Sequence, residues 1–461
     1  MRLLILLSFL STLALAYRPL RPQPVRNFPK TRVEDVGEPL FLTPYIESGD
    51  VETGRNLARV DSTLLEGTHS DIESYSGFIT ADKENNGNMF FWFFPAAENP
   101  DTAPVVIWLQ GGPGGSSMFG LLKLHGPLLS GDDENGNFGV RDNPYSWHRK
   151  HNIIYIDNPV GAGYSFSDKL PETQDDVSQN LYNMLQQWFK LFPMYQGNDF
   201  YPFGESYAGK FVPSIAKKIH EENSNPDNIK INLAGLGIGD GWMSPFHNAR
   251  YGNFLYQVGL IDENELSLSL NMESETQSLI NEEQWYDAWL SWNNEFGYFL
   301  DRMEYSYYYE ITQADYDPSE DDYEIFCNLE STREALHVGT LEYPNSGDVY
   351  FSMINDFMQS SIHDIEFLLE QYKVLIYDGN FDIICNHSGI LDLINDMEWS
   401  GAAEYSSTVR TAYRYENELV GYLKQAQNLN LLLVRNAGHM VPLSQPAWAQ
   451  QMLEDFTSGS L

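Results

Sequence analysis

The chain has few cysteines for its length, and after its first residues it has no long hydrophobic run. Two cysteines in 461 residues, Cys327 and Cys385, are too few for a scaffold held together by disulfides. They can form one bridge or remain as two thiols, and we favour two buried thiols. No stretch is both apolar and long enough to span a bilayer core about 30 Å thick. We therefore expect a protein that does not span a membrane.

Basic residues are also scarce. The chain has 27 Lys and Arg against 65 Asp and Glu, which gives a formal net charge of −38. Nucleic acid and anionic lipid surfaces repel such a protein, so we expect neither as a partner. Because carboxylates lose their charge at low pH, this composition fits a protein that works in an acidic environment. Hydrophobic residues make up 42% of the chain, which is enough for a sizeable core and excludes a disordered chain.

The first residues predict entry into the secretory route. Residues 1–16 contain Arg2, then an apolar run, and end in Ala14-Leu15-Ala16, a small-x-small cleavage site. We interpret them as a cleaved signal peptide rather than a buried helix, and expect a protein that is secreted or delivered to a lysosome-like acidic compartment. Residues 17–70 are interpreted as an N-terminal arm, rich in Pro and Arg over Arg18–Arg32. Whether residues 17–34 are a propeptide stays open.

The next part of the chain alternates between predicted strands and predicted helices. Tyr75–Thr80 and Met89–Phe94 are aromatic and β-branched runs around a turn-rich segment, and they predict a hairpin. Continuous apolar runs at Val105–Leu109 and Asn152–Ile156 predict strands that are buried on both faces. Helical patterns such as Asp175–Phe189 follow. This alternation predicts an α/β fold, with a mostly parallel sheet that helices cover on both sides.

The pattern changes between residues 242 and 345. Helical segments at Glu263–Ile280 and Glu282–Leu290 lead into a Tyr- and acid-rich stretch that includes Asp315–Glu324. We predict a helical insertion with an exposed acidic loop, placed between two core segments at 71–241 and 346–461. A charge run of this kind is usually a solvated loop without chemistry. Whether Asp315–Glu324 is cleaved stays open.

The segment Gly204-Glu205-Ser206-Tyr207-Ala208-Gly209 follows a strand-like run, Asp199–Phe203, and precedes a helical pattern. Small residues two positions before and two after Ser206 allow the sharp turn of a nucleophile elbow, which presents the hydroxyl at the edge of a sheet. Taken alone this motif is weak, because chance matches are common.

The order of three residues along the chain strengthens the motif. Asp382 follows a predicted strand at Lys373–Tyr377, and His439 follows another at Asn430–Val434. Ser206, Asp382 and His439 therefore occur in the order typical of α/β-hydrolases. Taken singly, Asp382 is more often a turn residue and His439 a loop histidine. Together they predict a catalytic triad at the carboxyl ends of the strands.

A second glycine-rich segment, Gln110–Ser117, directly follows the predicted strand ending at Leu109. It lacks the lysine of a phosphate-binding P-loop. In a hydrolase, such a loop can aim backbone N–H groups at an oxyanion. The alternative is a tight turn that only needs glycine for positive φ angles.

Several motifs in the same order resemble the serine carboxypeptidase family, and most closely its vitellogenic-like branch, from about Gly37 to the C-terminus. The motifs are Trp108–Ser117, Asp157–Phe166, Gly204–Pro213, Gly237–Trp242 and Gly438–Pro442. The resemblance implies an α/β-hydrolase core with an inserted helical cap. It also implies a serine-type carboxypeptidase that acts on the C-termini of peptides or proteins. We expect neither a cofactor nor a metal ion.

The resemblance also implies roles for individual residues. Ser206 matches the nucleophile, His439 the general base and then acid, and Asp382 the group that orients the imidazole. Gly112 and Tyr207 match the oxyanion hole, through their backbone N–H groups. Gln110, Gly111 and Glu205 match the site for the substrate's terminal carboxylate, although most of the family has Asn at the position of Gln110. Met440 matches a residue of the leaving-residue pocket, and Cys385 a buried thiol.

Glu205 leads us to expect activity at acidic pH. A carboxyl group beside the substrate's carboxylate shares a proton with it, so binding weakens when both are ionised. Two features depart from the expected pattern. Leu124 stands where many relatives have a Glu, and Pro202 falls in the strand before the elbow, where proline removes a ladder donor. Asn386 begins the one glycosylation sequon, which we expect to be unused.

Two other functions remain open at this point. A non-catalytic yolk or storage protein could keep the same fold, but the intact Ser206, Asp382 and His439 argue against it. An acyltransferase could use the same triad, but the Gln110 and Glu205 pair favours a peptidase. The expected chemistry is hydrolysis through an acyl-enzyme.

Overall fold

A computed structural model describes residues 36–343 and 347–461. The predicted signal peptide at 1–16 and the Arg18–Arg32 segment lie outside the described residues. The described part of the predicted arm, residues 36–70, contains helices α1 (Thr43–Ser48) and α2 (Val51–Leu57). Leu42, Ile46 and Ala58 from this part are buried in the core.

The strands of the described residues form a ten-stranded sheet and a separate three-stranded sheet. The strands are β1 (Gly67–Thr68), β2 (Tyr75–Asp82), β3 (Gly87–Phe94), β4 (Val105–Leu109), β5 (Leu128–Asp132), β6 (Phe138–Asp142), β7 (Asn152–Ile156), β8 (Phe200–Glu205), β9 (Gly235–Gly239), β10 (Lys373–Gly379), β11 (Thr411–Tyr415), β12 (Glu418–Ala426) and β13 (Leu429–Val434). The large sheet has the order β11-β12-β13-β10-β9-β8-β4-β7-β3-β2, and the small one β1-β6-β5.

The six central strands, β13-β10-β9-β8-β4-β7, are parallel to their neighbours. The strands at both edges pair in antiparallel fashion. The expected mixed, mostly parallel sheet is therefore confirmed. Since the central strands are parallel, the loops after β4, β8, β10 and β13 all leave from the same edge of the sheet.

The hydrophobic runs fold as the sequence predicts, because their residues alternate between two apolar layers. On β3, Phe91 and Phe93 belong to one buried cluster, while Phe90, Trp92 and Phe94 belong to the other. Every residue of β4 and β7 is buried, as expected for strands covered on both faces.

Helices supply both covering layers. The longer ones are α4 (Gln174–Leu191), α5 (Ala208–Glu222), α8 (Glu263–Asn281), α9 (Trp285–Met303), α15 (His387–Asp396) and α18 (Pro446–Ser458). The shorter ones are α3 (Ser117–Phe119), α6 (Pro245–Asn248), α7 (Gly252–Gln257), α10 (Asp322–Asn328), α11 (Glu330–Ala335), α12 (Gly347–Ser352), α13 (Ile354–Phe357), α14 (Ile362–Leu369), α16 (Ala402–Ser407) and α17 (Val441–Ser444). A capping box of Thr173 and Asp176 begins α4, which packs against β2 and α5.

Between β9 and β10, the described residues form helices and loops and no strand of either sheet. The two predicted helices are present as α8 and α9, which pack against each other. The second begins at Trp285, later than expected, since Glu283 has a φ of 57° that interrupts the helical path, and it continues to Met303. The boundaries of the predicted insertion, 242 and 345, stay a prediction.

The prediction of an exposed acidic loop at Asp315–Glu324 is wrong for its second half. Pro318–Asp321 forms a 3-10 turn, and α10 begins at Asp322. Tyr316 and Tyr323 are partly buried against the hydrophobic core, and they carry the neighbouring acids inward. The acidic composition of this segment therefore predicted too much exposure, because Tyr316 and Tyr323 attach it to the core.

Both cysteines are buried free thiols, as favoured from the sequence. Cys327 belongs to one hydrophobic layer and Cys385 to the other, so the sheet separates them. Asn386 is fully buried, and its side-chain oxygen accepts a hydrogen bond from the N–H of Gly389 at the start of α15 (3.2 Å). A glycan does not fit there in the folded protein. Within the described residues, no helix combines the length and apolar character needed to cross a membrane.

Candidate active site

The predicted nucleophile lies in a sharp turn between β8 and α5. Ser206 has a φ of 63°, and its N–H donates to the carbonyl oxygen of Gly239 on the neighbouring strand (3.0 Å). A Cβ on Gly204 would lie 2.6 Å from the Cβ of Ala208, so the close approach of strand and helix requires glycine. This is the strained strand-turn-helix geometry of a nucleophile elbow.

Asp382 and His439 meet across the loops that follow β10 and β13. Nδ1 of His439 lies 2.7 Å from Oδ2 of Asp382, and both side chains are buried. The carboxylate also accepts from the N–H groups of Ile384 (2.9 Å) and Cys385 (3.2 Å), which fix its orientation. Tyr309 stacks on the imidazole at 5.0 Å, and its carbonyl oxygen accepts from the His439 N–H (2.7 Å).

The environment of His439 favours its charged form. Burial lowers the pKa of the imidazole, but the charge and hydrogen bond of Asp382, together with the charge of Glu205, outweigh that effect. The pKa of His439 is therefore raised from its ordinary value. Nε2 of His439 is buried and has no hydrogen-bond partner among the residues that the structure describes, and both His439 and Ser206 line one cavity. No other described donor occupies the nitrogen that would take the proton from Ser206.

The glycine-rich loop after β4 lies against the elbow. A Cβ on Gly111 would lie 2.6 Å from the backbone nitrogen of Tyr207 and 2.7 Å from the Cβ of Ser206. Gly112 has a φ of 116°, which favours glycine. Among the described residues, neither the N–H of Gly112 nor that of Tyr207 donates to another backbone group. Two such groups beside a serine can stabilise an oxyanion.

Three side chains form a hydrogen-bonded chain that ends in a buried acid. Nε1 of Trp108 donates to Oε1 of Gln110 (3.0 Å), and Nε2 of Gln110 donates to Oε1 of Glu205 (3.0 Å). Oε2 of Glu205 is buried and has no partner in the described part of the chain. Burial raises the pKa of Glu205 to about 7, against the lowering effects of His439 and Gln110.

Most of these groups border a cavity of about 800 Å³ between the edge of the sheet and the helical segment. Of the predicted site residues, Gln110, Gly111, Gly112, Glu205, Ser206, Tyr207, His439 and Met440 line this cavity, and Asp382 reaches it through His439. The structure thus brings every predicted site residue together.

Residues 65–459 match the family described as serine carboxypeptidase. This chain belongs to the serine carboxypeptidase family. The resemblance inferred from the motifs is confirmed, and the chain is a serine-type carboxypeptidase whose family acts on peptide substrates.

The similarity to named relatives covers nearly the whole chain of this serine carboxypeptidase. It is 41% identical to the venom serine carboxypeptidase of Apis mellifera, with 99% of each chain covered. It is 39% identical to the vitellogenic carboxypeptidase of Aedes aegypti, covering 92% of this chain and 91% of that one. Among solved structures it resembles Kex1Δp, a prohormone-processing carboxypeptidase from Saccharomyces cerevisiae, with a TM-score of 0.78 and 26% identity over 88% of this chain and 96% of that one. The α/β-hydrolase fold is thereby confirmed.

The two departures of this serine carboxypeptidase from its family pattern have different outcomes. Leu124 is buried in a hydrophobic cluster that includes Trp108, and burial is the main cause of the raised pKa of Glu205. Pro202 pairs with Ile107 of β4 within β8, while pairing between β8 and β9 begins only at Phe203. Pro202 therefore removes no donor from the paired residues of β8 and β9, and β8 continues unbroken into the elbow.

Sequence reasoning missed much of the cavity wall of this serine carboxypeptidase. The sequence gives no signal for Tyr309, which stacks on His439. Glu320 also lines the cavity, and burial raises its pKa to about 7. Further aromatic lining residues are Trp242, Trp289, Trp292, Tyr350, Phe351 and Phe357. Trp242 ends the motif Gly237–Trp242, but for the others only the high aromatic content of this region was a signal, because they belong to no local motif.

Two more acids lie behind the carboxylate of Asp382 in this serine carboxypeptidase. Asp240 and Asp378 are fully buried, and an oxygen of each lies within 4.8 Å of the others and of one from Asp382. Such a group could in geometry hold a cation, but Oδ2 of Asp382 already pairs with His439. Burial and the nearby charge of Asp382 raise the pKa of both Asp240 and Asp378 well above the ordinary value. A shared proton is the simpler way to satisfy them.

Proposed function

We propose that this protein removes C-terminal residues from peptides and proteins at acidic pH, through an acyl-enzyme on Ser206. The observation that carries the proposal is the buried carboxyl of Glu205, whose Oε2 has no partner among the described residues and which lines the same cavity as Ser206. An endopeptidase does not bind a free chain terminus and needs no acid at that place. A carboxypeptidase must bind the terminal carboxylate of its substrate, and a protonated acid can do so.

In the proposed reaction, Oγ of Ser206 attacks the carbonyl carbon of the last peptide bond, and its proton passes to Nε2 of His439. The N–H groups of Gly112 and Tyr207 hold the oxyanion. The C–N bond then breaks, and the leaving nitrogen takes the proton from His439. Water next gives a proton to His439 and adds to the ester carbonyl. The ester bond breaks, and Ser206 regains its proton.

The proposed acidic preference follows from one proton shared between Glu205 and its surroundings. Because the pKa of Glu205 is about 7, the group is protonated in acid and can donate a hydrogen bond to the substrate's carboxylate. His439 must lose its proton to act as a base, so the raised pKa of its imidazole limits activity on the acid side. Above pH 7 the two carboxylates repel each other, and substrate binding weakens.

Replacing Glu205 with Gln tests this cause. In the wild type we expect KM to rise about tenfold per pH unit above pH 7, since binding then needs a proton. In Glu205→Gln this rise disappears, because the amide stays neutral. The measurement is KM against pH for an N-blocked dipeptide. A variant that keeps the wild-type slope would show that another group controls binding.

Product analysis tests the activity itself. A peptide library incubated at about pH 5 should lose single residues from its C-termini, and Ser206→Ala should abolish the loss.

The C-terminal amide of an N-blocked dipeptide should react at least about tenfold more slowly than the free acid, because it lacks a charged hydrogen bond to the enzyme. Equal rates for acid and amide would contradict a carboxypeptidase. Failure of an organophosphonate to label Ser206 would instead favour the storage-protein alternative.

The proposed setting is an acidic compartment of the secretory route or the extracellular space. The net charge of −38 and the proton requirement of Glu205 support it, and a relative at 41% identity is named as a venom protein. The proposed partners are peptide and protein C-termini.

A further inference from the structure

A buried ion pair lies one turn into the helix that follows Ser206. Lys210 on α5 and Asp356 on α13 are only 1% and 4% exposed, and Nζ of Lys210 contacts Oδ2 of Asp356. The same Oδ2 accepts hydrogen bonds from the hydroxyl of Tyr207 and from Nε2 of Gln174, the latter at 2.8 Å. One carboxylate oxygen therefore gathers three donors.

Stability alone does not explain this arrangement. A buried ion pair is often no more stabilising than apolar residues of the same size, because both charges lose their hydration. Lys210 is buried enough that its pKa is lowered from the ordinary value despite Asp356. The pair instead holds the side chain of Tyr207, whose hydroxyl donates to Asp356.

Tyr207 is held along its whole length. Its ring stacks on Phe357 at 5.4 Å and 23°, and it meets Phe211 edge-on at 5.2 Å. Its hydroxyl ends on Asp356, and a charged acceptor makes a stronger hydrogen bond than a neutral one. Since its backbone N–H is one of the two proposed oxyanion donors, a shift of this side chain would also move that donor.

We propose that Asp356, held in place by Lys210, is a positioning residue that fixes Tyr207 and thereby aims its backbone N–H at the developing oxyanion. Oxyanion donors act by preorganisation, so small displacements reduce the rate of the chemical step more than they reduce substrate binding. The inference rests on the proposed function, and it adds residues that no motif around Ser206 includes.

The test uses two variants and one control. Tyr207→Phe removes only the hydroxyl, and Asp356→Asn removes only the charge of the acceptor. Tyr405→Phe is the matched control, since Tyr405 is buried, its hydroxyl has no partner among the described residues, and it does not line the cavity. We expect kcat to fall between about tenfold and a hundredfold in both variants, with KM within about twofold of wild type. The control should keep both constants.

A second readout separates positioning from a general loss of structure. The phosphoryl oxygen of an organophosphonate occupies the oxyanion hole as it reacts with Ser206, so the inactivation rate should fall in parallel with kcat. Binding of the free-acid product, which needs no oxyanion, should be unchanged. Unchanged kcat and inactivation rate in folded Tyr207→Phe would overturn the inference.

If Asp356→Asn does not fold because Lys210 is left unpaired, the double variant Lys210→Met with Asp356→Leu replaces it, because the pair is then exchanged for apolar residues. It should lose as much kcat as Tyr207→Phe. Adding Tyr207→Phe to it should cause no further loss, since one interaction is removed only once. Additive losses would contradict the coupling. Failure of the proposed function is a different result, in which Ser206→Ala keeps the carboxypeptidase activity.

Discussion

At the scale of single residues, the active site depends on positions where no side chain fits. Gly111 shows this most clearly, because an added Cβ would lie within 2.6–2.7 Å of the Tyr207 nitrogen, the Glu205 carbonyl oxygen and the Ser206 Cβ. Two of these neighbours are backbone atoms, which cannot move without moving the elbow. Only glycine therefore fits there without displacing the elbow.

Gly111→Ala should consequently displace the elbow. We expect kcat/KM to fall about a hundredfold and the free energy of unfolding to fall by about 1–3 kcal/mol, as for overpacking. Steady-state kinetics and thermal denaturation measure the two effects. Gly197→Ala is the control, because nothing lies within 4 Å of its added Cβ. Wild-type activity in Gly111→Ala would show that the glycine loop does not approach Ser206 so closely.

At the scale of elements, Asp240 joins the ends of β9 and β10 beside a second buried acid, Asp378. The N–H of Gly379 donates to Oδ1 of Asp240 (2.8 Å), and the N–H of Asp240 donates to the carbonyl oxygen of Tyr377 (2.8 Å). Both carboxyls have raised pKa values in the folded protein. Their contribution to stability is therefore present in acid and is lost as the pH rises through those raised values.

Asp378→Asn should reduce this loss. Each pH unit between the ordinary Asp pKa of about 4 and the raised pKa of the folded protein costs about 1.4 kcal/mol for one carboxyl, so in that range the wild type should lose stability with rising pH more steeply than the variant. The melting temperature against pH measures this. Asp227→Asn, an exposed acid, should follow the wild type. Parallel curves for wild type and Asp378→Asn would mean that these acids do not titrate in that range.

The elements also show what the sequence could and could not predict. Strands β4 and β7 were predicted to the residue, because continuous apolar runs bounded by turns have few other structures available. The three residues of the predicted triad could be selected from the sequence because each follows a strand of the same parallel sheet. The wall formed by Tyr309, Glu320 and Phe357 was not predicted, because long-range packing places these residues and local pattern does not.

At the scale of the whole molecule, the fold holds together without covalent cross-links between its layers. Cys327 and Cys385 are free and lie in separate hydrophobic clusters. A native disulfide typically contributes about 2–4 kcal/mol, and its reduction lowers the melting temperature. Here a thiol reductant should change the melting temperature by less than about 1 °C. Differential scanning calorimetry with and without reductant measures this, and a large drop would indicate a bridge between the two.

The order of strands has a further consequence for how activity arises. Ser206 follows β8, but His439 follows β13, which joins the sheet only through β10. Without the β11–β13 edge, the proposed nucleophile Ser206 would therefore lack its proposed base. Peptide hydrolysis by this pair requires both halves of the sheet, the one before the helical segment and the one after it.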